Sequence, residues 1–159
     1  MVHVGIGYDV HALVAGRKLV LGGVGIPHAK GLEGHSDADA LMHAICDALL
    51  GALGEPDIGH FFPNTDLRWK NVPSKIFLEE AARLIALRQG KIVNVDATVL
   101  AQEPKIFPHI REMKLRIAEA LKINFERVGI KATTNERMGF IGREEGIAAM
   151  AVASVNLPE

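Results

Sequence analysis

The sequence predicts an α+β chain, an α/β sandwich in which a mixed β-sheet carries its helices on one face. Three observations lead there. Strand-like and helix-like segments alternate along the chain and end on a strand, instead of falling in blocks of one kind. Apolar residues recur with period two near residues 91–101, and a short apolar run fills 146–156, each consistent with a strand. They recur at helical spacing over 108–121 and almost all round over 38–53. With 159 residues, 48% of them hydrophobic and 23% charged, the chain is long enough for one ordinary core. No linker, repeat or low-complexity run divides it, so residues 1–159 read as one domain.

In order, residues 2–12 read as a strand, and 18–21 and 24–27 as short strands around the Gly22-Gly23 turn. Gly31 to Asp37 is a polar loop, with Ser36 and Asp37 as natural helix N-caps. A helix follows over 38–53 and ends near Gly54. Residues 54–72 are irregular, with Pro56, Pro63 and the turn-former Asn64-Thr65-Asp66. A second helix runs over 74–89, capped by Ser74 and stopped by Gly90. In the strand at 91–101, Val93, Val95, Ala97, Val99 and Ala101 alternate with Asn94, Asp96 and Thr98. Pro104 and Pro108 precede a helix over 108–121, striped by Ile110, Met113, Ile117 and Leu121. Strands at 128–134 and 146–156 flank a loop at 135–145. The last strand is apolar on both faces: Ile147, Ala149, Ala151, Ala153 and Val155 on one, Ala148, Met150 and Val152 on the other. Such a strand needs cover on both sides. Helices serve one side, so a second copy of the chain is expected on the other.

Composition excludes several classes of function. Eighteen Lys and Arg against 19 Asp and Glu leave a net charge of −1, which argues against a nucleic-acid partner held by a basic face. Aromatic residues at 5% argue against base-stacking modules. The single cysteine, Cys46, rules out a disulfide framework and reads as a small core hydrophobe. No run reaches the length of a membrane span, and the first residues lack a signal-peptide pattern, so a cytoplasmic protein with no membrane partner is expected.

Chemistry is crowded at one end. Five of seven histidines lie in the first 43 residues and six of seven aspartates in the first 66. On the first strand, alternation sends Asp9 and His11 to one face. On the buried first helix Asp39, His43 and Asp47 stand in one line at i, i+4 and i+8. Burying them is costly unless they are paired or bound to metal. His43 is either a core histidine held by an aspartate or a ligand. Joined with Asp9 and His11 it makes two imidazoles and a carboxylate, a set that suits zinc with one open position, or non-haem iron. Asp39 or Asp47 is expected to hold the distal N–H of His43. Gly5-Ile6-Gly7 and Gly22-Gly23-Val24-Gly25 fit no phosphate-loop pattern. Lys131 to Glu136 and Ala101 to Lys105, where strands exit into polar turns, suit a phosphate better.

Gly7-Tyr8-Asp9-Val10-His11, His35-Ser36-Asp37-Ala38-Asp39, Asp57-Ile58-Gly59, Ala101-Gln102-Glu103-Pro104-Lys105, Lys131 to Glu136 and Gly139 to Gly146 occur in this order. Together they resemble the 2-C-methyl-D-erythritol 2,4-cyclodiphosphate synthase family along essentially the whole chain. The architecture expected is then a ferredoxin-like sandwich, and the resemblance implies a homotrimer with active sites between neighbours. It implies Zn2+ on Asp9, His11 and His43, and Mg2+ or Mn2+ held through Glu136 and substrate phosphates. The reaction implied is attack of the 2-phosphate of 4-diphosphocytidyl-2-C-methyl-D-erythritol 2-phosphate on its β-phosphorus, with loss of CMP. His35 and Thr134 would flank the reacting phosphates. Ser36, Asp57, Gly59 and the stretch Phe62, Asn64, Asp66 would line the methylerythritol pocket. Ala101, Pro104, Lys105, Phe107 and Thr133 would take the cytidine diphosphate from the adjacent subunit. Phe140 and Arg143 match positions at an axial channel that can hold an isoprenoid diphosphate. Asn64 departs from the family pattern, where an aspartate is expected. The rival readings are a zinc phosphohydrolase using the same triad on water, and a non-catalytic isoprenoid-binding trimer.

Overall fold

The computed structural model describes residues 1–159. Strand β1 (Val2–Ala15) pairs antiparallel with the last strand, β7 (Gly146–Asn156), from Val2↔Asn156 to Ala12↔Gly146. Past Ala12 it pairs with β4 (Lys30–Leu32). On its other edge β7 pairs antiparallel with β5 (Lys91–Leu100), which pairs parallel with β6 (Val128–Thr133). The five-stranded order is β4-β1-β7-β5-β6, and β2 (Leu19–Leu21) with β3 (Val24–Ile26) makes a separate hairpin. The parallel pair requires a crossover, and α4 (Ile110–Leu121) provides it. Helices α1 (Ala40–Ala52), α2 (Ile58–Phe61) and α3 (Lys75–Leu87) come before β5, and α5 (Gly139–Gly142) before β7.

The mixed sheet and its helix-covered face agree with the sequence reading, but the ferredoxin-like expectation does not hold. That arrangement is a βαββαβ succession. Here the four long strands follow as β1, helices, β5, α4, β6, β7.

Helix α1 lies unusually close to β1. A Cβ on Gly5 would stand 1.9 Å from the carbonyl oxygen of Ala48, and one on Gly7 1.9 Å from that of Ala44. Gly5-Ile6-Gly7 is thus a groove for a helix, and Ala44, Ala48 and Ala52 form the small-residue stripe that enters it. Inside this layer 40 buried residues form one cluster. Cys46 belongs to it, its thiol pushed up by burial, as expected of a core residue. On the opposite face Val4, Ile6, Tyr8 and Val10 of β1, with Met150 and Val152 of β7, stay exposed.

Four local readings need correction. Gly31 belongs to β4 and not to a loop: a Cβ there would meet the Lys18 carbonyl oxygen at 2.3 Å, and only glycine lets the strand pass. The N-cap of α1 is Asp39, which accepts from Met42 N at 3.0 Å. Ser36 and Asp37 instead accept from Ala38 N and Asp39 N in the turn before it. Ser74 occupies the N-cap position of α3 but makes no capping bond, because its hydroxyl is used elsewhere. Val93 faces solvent, since the register shifts between Ile92 and Asn94 and turns Ile92 inward. The stretch read as irregular also holds α2 and a 3-10 turn at Leu67–Trp69, and the last loop holds α5.

Asp39 also binds the hairpin turn, accepting from Gly22 N at 2.9 Å and Gly23 N at 2.7 Å. Complete burial, with Asp37 nearby, pushes its carboxyl up to about 6, against the pull of the N–H groups of Met42, Gly23 and Gly22. The folded state therefore favours its protonated form. The stability this gives is fully present below the ordinary value of 3.8 and is lost as the pH rises through about 6. Asp39→Asn turns an amide NH2 toward a backbone donor and is expected to cost roughly 1–3 kcal/mol. Urea midpoints should show that deficit narrowing between about pH 4 and about pH 6 as the wild type loses its own share. Gly7→Ala drives a methyl into a backbone carbonyl. A loss of about 3 kcal/mol, the upper end for overpacking, is expected in the same measurement.

Candidate active site

Alternation on β1 places Asp9 and His11 on the face that also carries Gly5 and Gly7, and the close contact of α1 brings His43 down beside them. Asp9 Oδ2 lies 2.9 Å from His11 Nε2 and 3.1 Å from His43 Nδ1, and the two ring nitrogens are 3.3 Å apart. Each ring is held by its far nitrogen. His11 Nδ1 is 2.7 Å from the Glu33 carbonyl, an acceptor only, so it carries the proton and Nε2 presents a lone pair. His43 Nε2 lies 2.8 Å from Ser74 Oγ and 3.2 Å from Ser36 Oγ. The Ser74 hydroxyl donates to Asp37 Oδ1, so it accepts from His43, whose Nδ1 then also offers a lone pair.

Three acceptor atoms thus converge with no donor among them. Such a cluster is repulsive unless a cation, or a shared proton, sits in its midst. One carboxylate and two imidazoles, tautomers already set, are a donor set that fits a metal ion of the zinc type. Desolvation disfavours charge on Asp9 and His11 alike, but a proton shared between them in place of a cation brings a hydrogen bond and attraction that outweigh it, holding the Asp9 carboxyl below its ordinary value and raising the His11 imidazole.

Asp39 and Asp47 do not hold the distal N–H of His43. Asp39 is spent on the hairpin, and Asp47 accepts from Ile58 N at 2.8 Å, tying α2 to α1. Ser74 takes their place, and the Glu33 carbonyl does the same for His11; sequence reading missed both. In the sequence Ser74 reads only as the cap of the second helix.

His35 and Ser36 lie next to the triad. Ser36 is buried under His43. The His35 carbonyl accepts from Asn71 N at 2.8 Å, and its Nε2 donates to the Asp66 carbonyl at 2.9 Å, bringing the 57–72 segment alongside. There Asp57 caps α2, with Gly59 in its first turn, and both are exposed. Phe62 packs on Trp69 and Phe77 at 4.9 and 4.5 Å between ring centroids. Asn64 is exposed, while the Asp66 carboxylate is engaged by Arg68, with its closest approach at 2.6 Å. Trp69 Nε1 is buried with no acceptor, the one side-chain polar atom so placed.

The remaining residues form a second group. Ala101 N donates to the Thr133 carbonyl at 3.0 Å and Arg137 N to Gln102 Oε1 at 3.0 Å, so the turns after β5 and β6 make one rim. Pro104 (after a cis peptide), Lys105 and the exposed Phe107 belong to it. So do Thr134, which accepts from Glu136 N at 3.3 Å, and the exposed Glu136. Asp9 and Thr133 sit at matching levels on β1 and β6, separated by β7 and β5. Three strand spacings make that about 14 Å. The Phe140 ring lies against Gly146, and Arg143 pairs with Glu145 at 3.1 Å. The largest cleft, about 820 Å3 between α3 and α4, contains none of these residues.

The description of the YgbB family matches residues 2–156 of the sequence. The chain belongs to the YgbB family. A relative from Caldicellulosiruptor bescii, named 2-C-methyl-D-erythritol 2,4-cyclodiphosphate synthase, is 56% identical over 155 residues, covering 98% of this chain and 99% of that protein. The bifunctional enzyme IspD/IspF of Gluconobacter oxydans is 53% identical over 98% of this chain, which spans only 40% of that longer protein. Among solved structures, the IspF–CDP complex of Plasmodium falciparum superposes with a TM-score of 0.87 at 35% identity, covering 99% of this chain and 97% of that one.

Proposed function

We propose that the chain is a cyclodiphosphate synthase. It converts 4-diphosphocytidyl-2-C-methyl-D-erythritol 2-phosphate to 2-C-methyl-D-erythritol 2,4-cyclodiphosphate and CMP, as a phosphorus–oxygen lyase of the non-mevalonate isoprenoid route. The observation that carries it is the convergence of Asp9, His11 and His43 in a chain that matches named synthases end to end. The reaction balances without a co-reactant. An oxygen of the 2-phosphate forms a bond to the β-phosphorus, and the bridging oxygen leaves with the α-phosphate as CMP.

An ionised phosphate is already nucleophilic, so the protein must position and neutralise, with no base required. Bound Zn2+ on the triad and Mg2+ or Mn2+ at Glu136 would supply the positive charge that a chain of net charge −1 lacks. His35 and Thr134 flank the reacting phosphates, and the Thr134 Oγ that accepts from Glu136 N keeps its own proton to give. Ser36, Asp57, Gly59, Phe62, Asn64 and Asp66 bound the methylerythritol end. Ala101, Pro104, Lys105, Phe107 and Thr133 hold the cytidine diphosphate through backbone groups and one lysine.

Two features support a homotrimer with shared sites. The triad and the nucleotide rim are about 14 Å apart in one chain, farther than a diphosphate can bridge while reacting. The apolar outer faces of β1 and β7 need cover. An isoprenoid diphosphate beside Phe140 and Arg143, on the resulting axis, completes the reading, with residues 1–159 as one synthase domain at work in the cytoplasm.

Phosphorus NMR of the products separates this from a hydrolase, which would give open-chain phosphates. His43→Ala is expected to lose bound zinc and at least about 100-fold in cyclisation together; open-chain products from the wild type would overturn the assignment. Subunit mixing checks the shared site. Denatured and renatured one to one, His43→Ala and Thr134→Ala should regain activity absent from either alone. About a quarter of the sites then draw both intact halves from different chains.

A further inference from the structure

The hydroxyl of Ser74 has one proton and two neighbours able to take it, Asp37 Oδ1 and His43 Nε2. Which one receives it decides the metal centre. If Ser74 donated to His43 Nε2, the imidazole proton would sit on Nδ1, pointing at Asp9 and His11, and close the cluster to a cation. If Ser74 donates to Asp37, its lone pair accepts from His43 Nε2–H at 2.8 Å and Nδ1 is left open.

Asp37 is built to win that proton. Its carboxylate is an acceptor for three donors: Ser74 Oγ, Asp39 N at 3.1 Å and, through Oδ2, Ser74 N at 3.0 Å. Its own N–H donates to the Val72 carbonyl at 3.1 Å, which locks it between the 35–39 turn and the start of α3. Ser36 cannot substitute. Its Oγ, 3.2 Å from His43 Nε2, accepts from Ala38 N and has no carboxylate to fix where its proton points.

We propose that Asp37 is a positioning residue of the metal centre, acting through the Ser74 hydroxyl to hold His43 with its proton on Nε2 and its Nδ1 lone pair aimed at the ion. It never touches the metal or the substrate. This rests on the reading of Asp9, His11 and His43 as a metal centre. It adds a reason for the Ser36-Asp37 dipeptide beside His35: one residue sets the ligand's tautomer and anchors the turn that carries the phosphate-facing groups.

The test uses protein labelled with 15N-histidine, read by imidazole nitrogen shifts in the metal-free form and by competition for Zn2+ against a chromophoric chelator. Wild type should show His43 protonated at Nε2. In Asp37→Asn an amide cannot accept from all three donors, so His43 should gain the Nδ1–H signature and zinc affinity should fall roughly 10–100-fold. Ser74→Ala should lose a similar factor. Because Asp37 acts through Ser74, the double variant should lose no more than Ser74→Ala alone. An unchanged tautomer and affinity in folded Asp37→Asn, or losses that multiply in the double variant, would overturn the proposal. So would Nδ1–H in the wild type, which needs no variant to fold. If instead the synthase assignment is wrong, the wild type yields no cyclic diphosphate while the tautomer and affinity results stand.

Discussion

Everything at the candidate site depends on the close approach of one helix to one strand. At Gly5 and Gly7 the backbone of α1 touches the backbone of β1, with no side chain between them. That contact fixes how closely the helix rides on the strand. His43 immediately precedes Ala44, whose carbonyl rests over Gly7, and Asp9 and His11 follow Gly7 at the next inward positions of the strand. The ring and the two strand residues meet because the glycines and the alanine stripe let them. A larger residue at either glycine would lift the helix and open the triad, with no ligand changed.

The polar groups on and around α1 fall into two kinds, and the division explains how a largely apolar helix carries them. Asp39 and Asp47 stand in line with His43 but face away in function: one receives the N–H groups of the helix start and the hairpin, the other the N–H that begins α2. They hold elements together. Asp9, by contrast, has only histidine nitrogens for partners, and those nitrogens carry no protons once Glu33, Ser74 and Asp37 have set the tautomers. Three lone pairs are thereby turned toward one point. That is costly in a metal-free fold, and makes sense as preorganisation for a positive charge that the sequence, at −1, does not otherwise possess.

Much of this was legible in the sequence, for physical reasons that can be named. The apolar run over 146–156 gave the last strand with its bounds, because both faces are apolar and the ladder is regular. The all-round apolarity of 38–53 gave a buried helix, and with it the cost argument that raised His43 to a ligand. What escaped depends on contacts between distant segments. Gly31 looks like a loop glycine until the Lys18 carbonyl is seen to fill its Cβ position. Val93 breaks the alternation because a register shift is a property of strand pairing, which no single strand records. Asp47 seemed a partner for His43 because helical spacing aligns them, yet its carboxylate reaches forward to Ile58. Ser74 looked like an N-cap, and only the fold shows that Asp37 and His43 claim its hydroxyl.

The sheet order carries the last step. In β4-β1-β7-β5-β6, the metal-type triad sits on β1 and on the helix α1 packed against it, and the nucleotide-type rim at the ends of β5 and β6, with β7 between. No loop movement in one chain folds that distance away, because the separating strands are hydrogen-bonded along their whole length. The strand that separates the halves is also the one with a second apolar face, shared with β1. In the proposed homotrimer, copies of the chain covering that face around an axis would bring the rim of one chain toward the triad of the next. The strand that keeps the two halves apart within one chain would then also be the strand that joins one chain to the next. A neutral surface suits that proposal better than a basic one: subunits packed face to face gain from low net charge, and ions held at the sites would supply the positive charge that the phosphates require.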